Sequence, residues 1–296
     1  MSIATLAPPL RVRVPEDPQV AVAFSRRPGP GERTGAGNVS LLVGEEAGRP
    51  GAVLEARALL TAAVGLDLDD LVVGTQVHGA DVARVGRAQA GRGARDAGSA
   101  LPGVDALVTA EAGVGLAVLA ADCIPLALVD PGRAVAAVHA GRAGLEAGVV
   151  PAALAALREA GAATGRPELG VVALIGPAIG GCCYEVEAEL AARVARRVPG
   201  AAATTRWGTP ALDLPAGAQA QLHAAGVERV EHVGGCTGCG GGPWFSARAA
   251  AGHLPARPSV GRPAAGLREA RGPVGRHATV VARTADPSAV AHRGTA

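Results

Sequence analysis

Three residues of this sequence, one cysteine and two histidines, stand within or at the ends of apolar runs and are of types that bind metal ions or act as nucleophiles. Cys123 follows Asp122 within one apolar run, and His139 precedes a glycine-rich turn at the end of the next run. His78 lies in a QVHG segment, where an earlier strand-like run meets a turn. One cysteine and two histidines are ligands that Zn²⁺ prefers, and three protein ligands leave a fourth tetrahedral position for water or substrate. Spacing alone does not establish such a site. A cysteine and two histidines in such positions are more often a buried free thiol and two hydrogen-bonded imidazoles.

The elements that must position these residues are short Val/Leu/Ala runs that alternate with segments of helical spacing. The runs predict buried strands at residues 20–24, 69–77, 104–109, 115–130 and 134–140. The helical spacing predicts helices over 51–65, 145–163, 186–198 and 214–227. DPG at 130–132 is a tight-turn signal, so Cys123 and His139 are expected on neighbouring hairpin strands. We therefore expect an α/β fold, an α+β sandwich of mixed β-sheets flanked by helices.

Composition and length limit the possible functions and the domain organisation. The chain has 296 residues and a hydrophobic content of 49%, which is ample for one large core. We expect a single domain over residues 1–282, loop or disorder within 251–276, and a disordered tail over 283–296. A net charge of +2 and five aromatic residues (Trp 2, Tyr 1, Phe 2) argue against nucleic-acid binding.

The sequence also predicts no membrane association. The N-terminal segment MSIATLAPPLRVRVPEDP lacks the features of a secretory signal. The longest apolar region, residues 104–129, is interrupted by Glu111 and Asp122, and charges in the middle of a membrane span are costly. We expect a cytoplasmic protein that is a monomer or a homodimer.

Four further cysteines could form a second site. Cys236 and Cys239 form a CxxC pair, and together with Cys182 and Cys183 they could make a Cys₄ knuckle for zinc. Adjacent cysteines rarely bind one ion together, so the sequence does not favour this site. A thioredoxin-like redox role is less favoured still, because glycine-rich chain follows the CxxC pair instead of a helix.

An arginine-rich stretch after the first strand is a candidate for phosphate binding. Arg26 and Arg27 follow residues 20–24 directly, and Asn38 and Ser40 come next in the polar segment. The planar guanidinium fork suits phosphate, although most surface arginines are merely solvated. The chain contains neither GxxxxGK[ST] nor a strand-linked GxGxxG, and it lacks the HxE with PCxxC signature of zinc base deaminases.

Several longer segments occur together in one order along nearly the whole chain. They are NVSLLVGEE (38–46), QVHGADVARV (76–85), VDALVTAEAGVGLAVLAADCIPLALVD (104–130), AAVHAGRAGLEAGVV (136–150), IGPAIGGCCYEV (175–186), CTGC with WFSAR (236–248) and VGR (274–276). In content and order they resemble the laccase-domain polyphenol oxidase family, whose members are regarded as zinc-dependent purine nucleoside phosphorylases.

The resemblance implies a metal centre, a reaction and a fold. It carries the family's metal ligands over to His78, Cys123 and His139, with zinc as the cofactor and copper as a possible alternative. It implies phosphorolysis of adenosine, inosine or methylthioadenosine to a free base and a ribose 1-phosphate, with purine nucleoside and phosphate as partners. It also implies deamination of adenosine, and a cysteine-hydrolase-like fold. Multicopper oxidases need several copper centres and many more histidines than the seven present.

The resemblance also assigns substrate contacts, and the sequence departs from the family at some of them. The family's HAGWRG reads HAGRAG here, so Arg142 stands at the Trp position and Ala143 at the Arg position. The family's FFSYR reads WFSAR, which keeps Arg248 but loses the Tyr. Its ENR reads EAR here, which keeps Arg57 but loses the Asn. We predict Arg27, Asn38, Arg142 and Arg248 as substrate contacts.

Asp122, predicted as catalytic together with Cys123, could orient that neighbouring ligand or carry a proton. A hydrogen bond at a strand end is the alternative role for Asp122.

Two other functions remain open at the level of sequence. Cys123 could be the nucleophile of a cysteine hydrolase, with His139 or His78 as the base, and such an enzyme could edit peptidoglycan precursors. Alternatively, the metal could be structural and the protein a binding module.

Overall fold

The computed structural model describes residues 6–28, 37–44, 49–239, 242–254 and 274–284. Its strands are β1 (Leu10–Arg13), β2 (Val20–Phe24), β3 (Leu71–Val73), β4 (Val82–Arg84), β5 (Ala106–Thr109), β6 (Gly115–Ala120), β7 (Ile124–Asp130), β8 (Ala134–Ala140), β9 (Val172–Ile175), β10 (Ala202–Thr204), β11 (Pro210–Leu212), β12 (Arg229–His232) and β13 (His277–Arg283). Its α-helices are α1 (Pro50–Ala62), α2 (Arg142–Ala147), α3 (Val149–Ala162), α4 (Ala188–Arg197), α5 (Leu214–Ala224) and α6 (Ala247–Ala250).

A six-stranded mixed sheet in the order β12-β9-β7-β8-β5-β4 carries the predicted hairpin. Strands β7 and β8 are antiparallel and pair Pro125 with His139. Every residue of both strands is buried, because the sheet is covered on both faces. Such strands have near-continuous apolar sequences, which explains the small, apolar residues on either side of the DPG turn. The predicted hairpin is confirmed.

A five-stranded sheet in the order β1-β2-β13-β6-β3 packs against the first sheet. Side chains of both sheets, such as Val22, Leu116, Leu107 and Ala137, share one buried apolar cluster. Helix α1 packs on the outer face of the five-stranded sheet, where Leu60 joins a second cluster. Helices α3, α4 and α5 cover the outer face of the six-stranded sheet in a third cluster. The expected mixed α/β architecture with flanking helices is confirmed.

The predicted helix over 145–163 is two helices in the structure. Gly148 has a φ of 86°, a left-handed conformation that glycine adopts readily, and it ends α2 and precedes α3. Helix α3 continues because Pro151 falls in its first turn, where no intrahelical N–H is needed. Its residues Val150, Leu154 and Leu157 share the buried face. The single predicted helix was therefore wrong at Gly148.

Strand β13 was not predicted, although it lies in the middle of the five-stranded sheet. Its sequence HATVVAR contains the polar residues His277, Thr279 and Arg283, so it does not match the pattern of a buried strand. All seven residues are nevertheless buried between β2 and β6. Arg283 and Thr284 belong to the folded part, two residues beyond the predicted boundary of the tail. Within the predicted loop 251–276, the described residues 251–254 and 274–276 are not helix or strand. Residues 255–273 and 285–296 lie outside the described residues.

No helix among the described residues is both long enough and apolar enough to cross a lipid bilayer.

Acid should destabilise the protein because it protonates His277, the first residue of β13 in the five-stranded sheet. Its Nε2–H donates to the carbonyl oxygen of Pro177 at 3.1 Å, its other ring nitrogen has no partner among the described residues, and burial lowers its pKa to about 4. The unfolded chain binds this proton near pH 6.5, so the stabilisation is complete above pH 6.5 and is lost as the pH falls towards 4.

We expect the free energy of unfolding to fall by about 3 kcal/mol across this window, at about 1.4 kcal/mol per pH unit. Urea titrations at pH 7 and pH 4.5 on the wild type and on His277→Gln measure the difference. The variant should lack this part of the pH dependence, whereas His253→Gln, at an exposed position, should keep it. Equal pH dependence in wild type and His277→Gln would show that another group is responsible.

Candidate metal centre and active site

The structure brings His78, Cys123 and His139 together at the edge between the two sheets. Their ligand atoms all lie within 4.8 Å of one another. The two imidazole rings meet edge to face, with centroids 4.8 Å apart. Cys123 directly precedes β7, His139 lies near the end of β8, and His78 comes from the loop after β3. The hairpin register places the first two side by side, and the packing of the sheets adds the third.

Two residues at this centre have positive φ angles although they are not glycine. The φ of His78 is 61° and that of Asp122 is 87°. These conformations are uncommon for non-glycine residues, and residues that the surrounding structure holds in them cluster at functional sites. The Asp122 conformation turns the chain between β6 and β7 immediately before Cys123. The local backbone is therefore shaped to present His78 and Cys123.

Asp105 connects the ligands, and the sequence reasoning missed it. Its fully buried carboxylate accepts a hydrogen bond from His139 Nδ1 at 2.7 Å. It also accepts from the backbone N–H groups of Val77, His78 and Gly79, at 3.0, 3.0 and 2.8 Å. One carboxylate thus fixes the loop that carries His78 and leaves the Nε2 of His139 free as a ligand. Metal-binding histidines are commonly oriented by such a carboxylate.

The electrostatics of the centre favour a thiolate. Burial alone would raise the pKa of Cys123, but hydrogen bonds with His139 and His78 outweigh it and bring the pKa to about 6. Burial alone would lower the pKa of His139, but Asp105 and Cys123 raise it to about 9. Thiolate is the form in which cysteine binds metals. A cation at this position can replace the proton held between Cys123 and His139.

The donor set fits a single transition-metal ion. Two imidazoles and one thiolate are ligands of zinc and also of copper. The buried carboxylate of Asp105 supplies the outer hydrogen bond that such ligands need. All three ligands also line a cavity, so the side of the centre that faces the cavity stays open to a further ligand. The residues present fit a catalytic metal ion.

Gly141 should tolerate no side chain, because it lies against two of the ligands. A Cβ atom at this position would lie 2.8 Å from His78 Cδ2 and 2.9 Å from Cys123 Sγ. We expect Gly141→Ala to displace both ligands and to lower zinc affinity at least about tenfold, comparable with the loss of an outer hydrogen bond. Competition with a chromophoric zinc chelator measures the affinity. Gly51→Ala, where a Cβ atom would meet open space and the φ angle is not positive, is the control, and equal affinity in the two variants would contradict the packing argument.

A cavity of about 730 Å³ opens beside the three ligands. Its size lies within the range of about 300–1,000 Å³ that small-molecule sites occupy. Arginines line part of its wall, and Leu119 and Ile179 contribute apolar surface. The lining arginines are Arg57, Arg142, Arg248 and Arg276. The sequence reasoning assigned no role to Arg276, although the VGR motif contains it.

The four arginines have different partners. Arg57 is buried and donates to the carbonyl oxygens of Val39, Gly93 and Ala94, and burial lowers its pKa to about 10. The guanidinium of Arg248 lies 4.7 Å from the centroid of the Tyr184 ring, which also lines the cavity. These contacts make Arg57 a support for the cavity wall and leave Arg248 available to a ligand.

Arg142 stands at the position where the family has Trp. It is the first residue of α2, and it donates to Glu146 at 2.6 Å while it lines the cavity. Ala143, at the family's Arg position, lines the cavity as well. The departure HAGRAG therefore still presents one guanidinium to this part of the cavity.

Both carboxylate oxygens of Asp122 accept hydrogen bonds from the protein. The Thr237 hydroxyl donates to Oδ1 at 2.5 Å, and the Arg248 backbone N–H donates to Oδ2 at 2.8 Å. These contacts tie two segments distant in sequence, the 3₁₀ turn at Thr237–Cys239 and helix α6, to the residue before Cys123. Of the roles predicted for Asp122, they support positioning.

Two predicted substrate contacts lie outside the cavity lining. Arg27 donates to the carbonyl oxygens of Trp244 and Gly242, at 2.9 and 3.0 Å. The buried Asn38 donates to the carbonyl of Val43 at 2.7 Å and accepts from the backbone N–H of Arg276 at 2.8 Å. Both residues support segments near the cavity, and their contacts with substrate stay predictions.

Comparison with solved structures shows the same fold elsewhere. The crystal structure of YlmD from Geobacillus stearothermophilus matches with a TM-score of 0.74 and 29% sequence identity, over 96% of this chain and 98% of that one.

Comparison of sequences finds relatives that are named as enzymes. A purine nucleoside phosphorylase of Streptomyces coelicolor is 50% identical over 191 residues, which are 64% of this chain and 73% of the relative. The adenosine deaminase RL5 of an unknown prokaryotic organism is 35% identical over 221 residues, 71% of this chain and 80% of the relative. A family model described as multi-copper polyphenol oxidoreductase laccase matches residues 21–267. The chain therefore belongs to this laccase-like family, as its motifs predicted.

Proposed function

We propose that this chain is a metal-dependent purine nucleoside phosphorylase that cleaves adenosine, inosine and methylthioadenosine to a base and ribose 1-phosphate, and that it also deaminates adenosine. The observation that carries the proposal is the three-ligand centre at the wall of a cavity of about 730 Å³, with arginines on the same wall. The names of the relatives, a purine nucleoside phosphorylase and an adenosine deaminase, support both activities.

Phosphate binding is assigned to the cavity arginines. Arg248, Arg276 and Arg142 present guanidinium groups to one space, and such groups hold phosphate in a fixed orientation through paired N–H donors. Arg142 forms an ion pair with Glu146, so Arg248 and Arg276 are the main candidates for binding phosphate. Fixing phosphate near the ribose removes much of the entropic cost of bringing two reactants together.

The nucleoside would occupy the rest of the cavity. Leu119 and Ile179 offer apolar surface to a purine ring, and the Tyr184 hydroxyl is a polar group on the same wall. Burial raises the pKa of Tyr184, so its hydroxyl stays protonated at neutral pH and can donate a hydrogen bond. A donor near the departing base would stabilise the negative charge that develops on it.

Zinc is the proposed cofactor, held by His78, Cys123 and His139. When bound, such an ion supplies Lewis acidity and lowers the pKa of a coordinated water to about 7. Asp105 keeps His139 in the tautomer that a metal ligand requires, and Asp122 holds the segment before Cys123 in place. Copper remains the alternative occupant of the same ligands.

The alternative functions have less support. Among the described residues, histidines contribute to one metal-ligand cluster, whereas a multicopper oxidase needs several copper centres. The cysteine hydrolase that edits peptidoglycan precursors gains no support from the comparisons. A cytoplasmic location, a monomeric or homodimeric state and the cysteine-hydrolase-like description of the fold stay part of the proposal. The thiolate ligand favours a reducing compartment.

The test is product analysis with zinc-loaded protein. Adenosine or inosine is incubated with and without phosphate, the bases are separated by chromatography, and ribose 1-phosphate is followed by phosphorus NMR. We expect base and ribose 1-phosphate in equal amounts, formed only when phosphate is present. Inosine formed from adenosine without phosphate would establish the deaminase activity. Absence of both products would refute the proposed function.

A further inference from the structure

The structure gathers the other four cysteines of the chain into one compact group. Their Sγ atoms all lie within 4.8 Å of one another. Cys182 and Cys239 are 3.5 Å apart, Cys183 and Cys239 are 3.7 Å apart, and Cys182 and Cys183 are 3.8 Å apart. All four are free thiols. We call this group the four-cysteine cluster; none of its members lines the cavity of the proposed active site.

These separations match four ligands around one ion. Zinc binds cysteine sulfur at about 2.3 Å, so two sulfurs of a regular tetrahedron lie about 3.8 Å apart. Three of the sulfur–sulfur distances in the cluster are 3.5, 3.7 and 3.8 Å, and all lie within 4.8 Å. Clusters of several iron atoms divide their cysteine ligands among different irons and spread them farther apart. The geometry therefore favours a single ion.

The backbone explains how two adjacent cysteines can face one point. Residues 181–183 form a turn, whereas successive side chains of an extended strand would point to opposite faces. On the other side, Cys236 forms a parallel bridge with Ala178, and Cys239 ends a short 3₁₀ turn over Thr237–Cys239. Gly238 allows the close approach, since a Cβ there would lie 2.8 Å from Cys183 Cβ.

The cluster also contains the kind of hydrogen bond that stabilises a sulfur ligand. The backbone N–H of Gly180 donates to the Sγ of Cys236 at 3.2 Å. Cys183 is completely buried, and the other three are partly buried. The cluster is thus largely shielded from solvent, and four sulfur ligands around one ion would leave no coordination position for a substrate.

We propose that the four-cysteine cluster binds one structural zinc ion, separate from the metal centre of the proposed active site. Four thiolates close the coordination sphere, and closed Cys₄ sites are structural and not catalytic. The ion joins two segments distant in sequence, the turn at 181–183 and the loop at 236–239.

Both segments contribute residues to the proposed active site, so an ion that joins them would also stabilise that site. Thr237 lies between Cys236 and Cys239 in the sequence. Its hydroxyl donates a hydrogen bond to Asp122, the residue before Cys123. Tyr184, directly after Cys183, lies on the cavity wall and contacts the guanidinium of Arg248. A bound zinc ion would fix the positions of Thr237 and Tyr184 and so brace this side of the cavity.

The experiment uses the variant Cys123→Ala, in which the only cysteines left are those of the cluster. The variant is purified under reducing conditions and dialysed against a weak chelator, which strips weakly held metal. Its metal content is measured by mass spectrometry, and its zinc ligands by X-ray absorption spectroscopy. We expect one zinc per chain with four sulfur neighbours at about 2.3 Å. The wild type should hold two zinc ions per chain, and Cys236→Ser/Cys239→Ser should hold one.

Three results would overturn the proposal. The first is Cys123→Ala protein without metal, and the second is zinc bound only by nitrogen and oxygen in that protein. The third is iron instead of zinc in the four-sulfur site. The measurement on Cys123→Ala keeps the four-cysteine cluster intact, so it decides the question even if the double serine variant does not fold. None of these readouts depends on phosphorolysis, so the zinc site and the proposed function can fail separately.

Discussion

Replacing Cys123 with alanine should remove the metal from the three-ligand centre and lower kcat/KM for phosphorolysis about a thousandfold or more. The thiolate is the one anionic ligand of the centre, and its pKa of about 6 makes it available at neutral pH. A metal ion contributes several kcal/mol of transition-state stabilisation. Because each 1.36 kcal/mol changes the rate tenfold, a loss of about 4 kcal/mol corresponds to three orders of magnitude.

Steady-state rates of base release at saturating zinc and phosphate measure the Cys123→Ala effect. A matched pair for the histidine ligands is His78→Ala against His253→Ala, since His253 is exposed and belongs to no metal-ligand cluster that the described residues form. We expect the first to lose activity as Cys123→Ala does and the second to keep wild-type rates. Phosphorolysis at more than about a tenth of the wild-type rate in Cys123→Ala would show that this centre does not carry the reaction.

Asp105→Asn should weaken zinc binding about 10- to 100-fold, the range seen when the outer hydrogen bond of a metal ligand is lost. The carboxylate accepts four N–H donors, three from the backbone of residues 77–79 and one from His139. Asparagine has one oxygen acceptor and one NH₂ donor, so at least one buried N–H of this set loses its partner. The variant should also be less stable by about 1–3 kcal/mol for each donor left unpaired.

Competition with a chromophoric chelator gives the zinc affinity of Asp105→Asn, and urea titration gives its stability. Asp69→Asn is the matched control, because Asp69 is exposed and pairs with Arg95 at the surface. Activity of Asp105→Asn should recover in part as the zinc concentration rises, since the three ligands themselves are intact. Unchanged zinc affinity would mean that Asp105 holds the loop without influencing the metal ligands.

The local parts of the centre could be predicted from the sequence, whereas the long-range parts could not. The DPG turn and its two apolar runs predict the β7–β8 hairpin, and this hairpin brings Cys123 and His139 together. Asp105 was overlooked because its role depends on tertiary packing. It lies directly before β5, yet its partners lie in the loop after β3 and on β8. An aspartate in an otherwise apolar run was the signal that could have indicated it.

The difference between local and long-range structure also explains why strand β13 and the four-cysteine cluster were not predicted from the sequence. Strand β13 has three polar residues among its seven, and only its central place between β2 and β6 explains their burial. Adjacent Cys182 and Cys183 argued against one shared ion, because the sequence does not reveal that they lie in a turn. Arg27 and Asn38 donate to backbone carbonyl groups in the structure, and their contacts with substrate stay predictions.

The most direct test of the central claim is the rate of phosphorolysis in wild-type protein before and after its metal is removed. Metal is stripped with a chelator under reducing conditions, which keeps Cys123 as a free thiol, and zinc is then added back in measured amounts. We predict that the stripped protein is inactive and that added zinc restores phosphate-dependent base release. Full activity in metal-free protein, abolished by a thiol alkylator, would contradict this account and would favour Cys123 as a nucleophile.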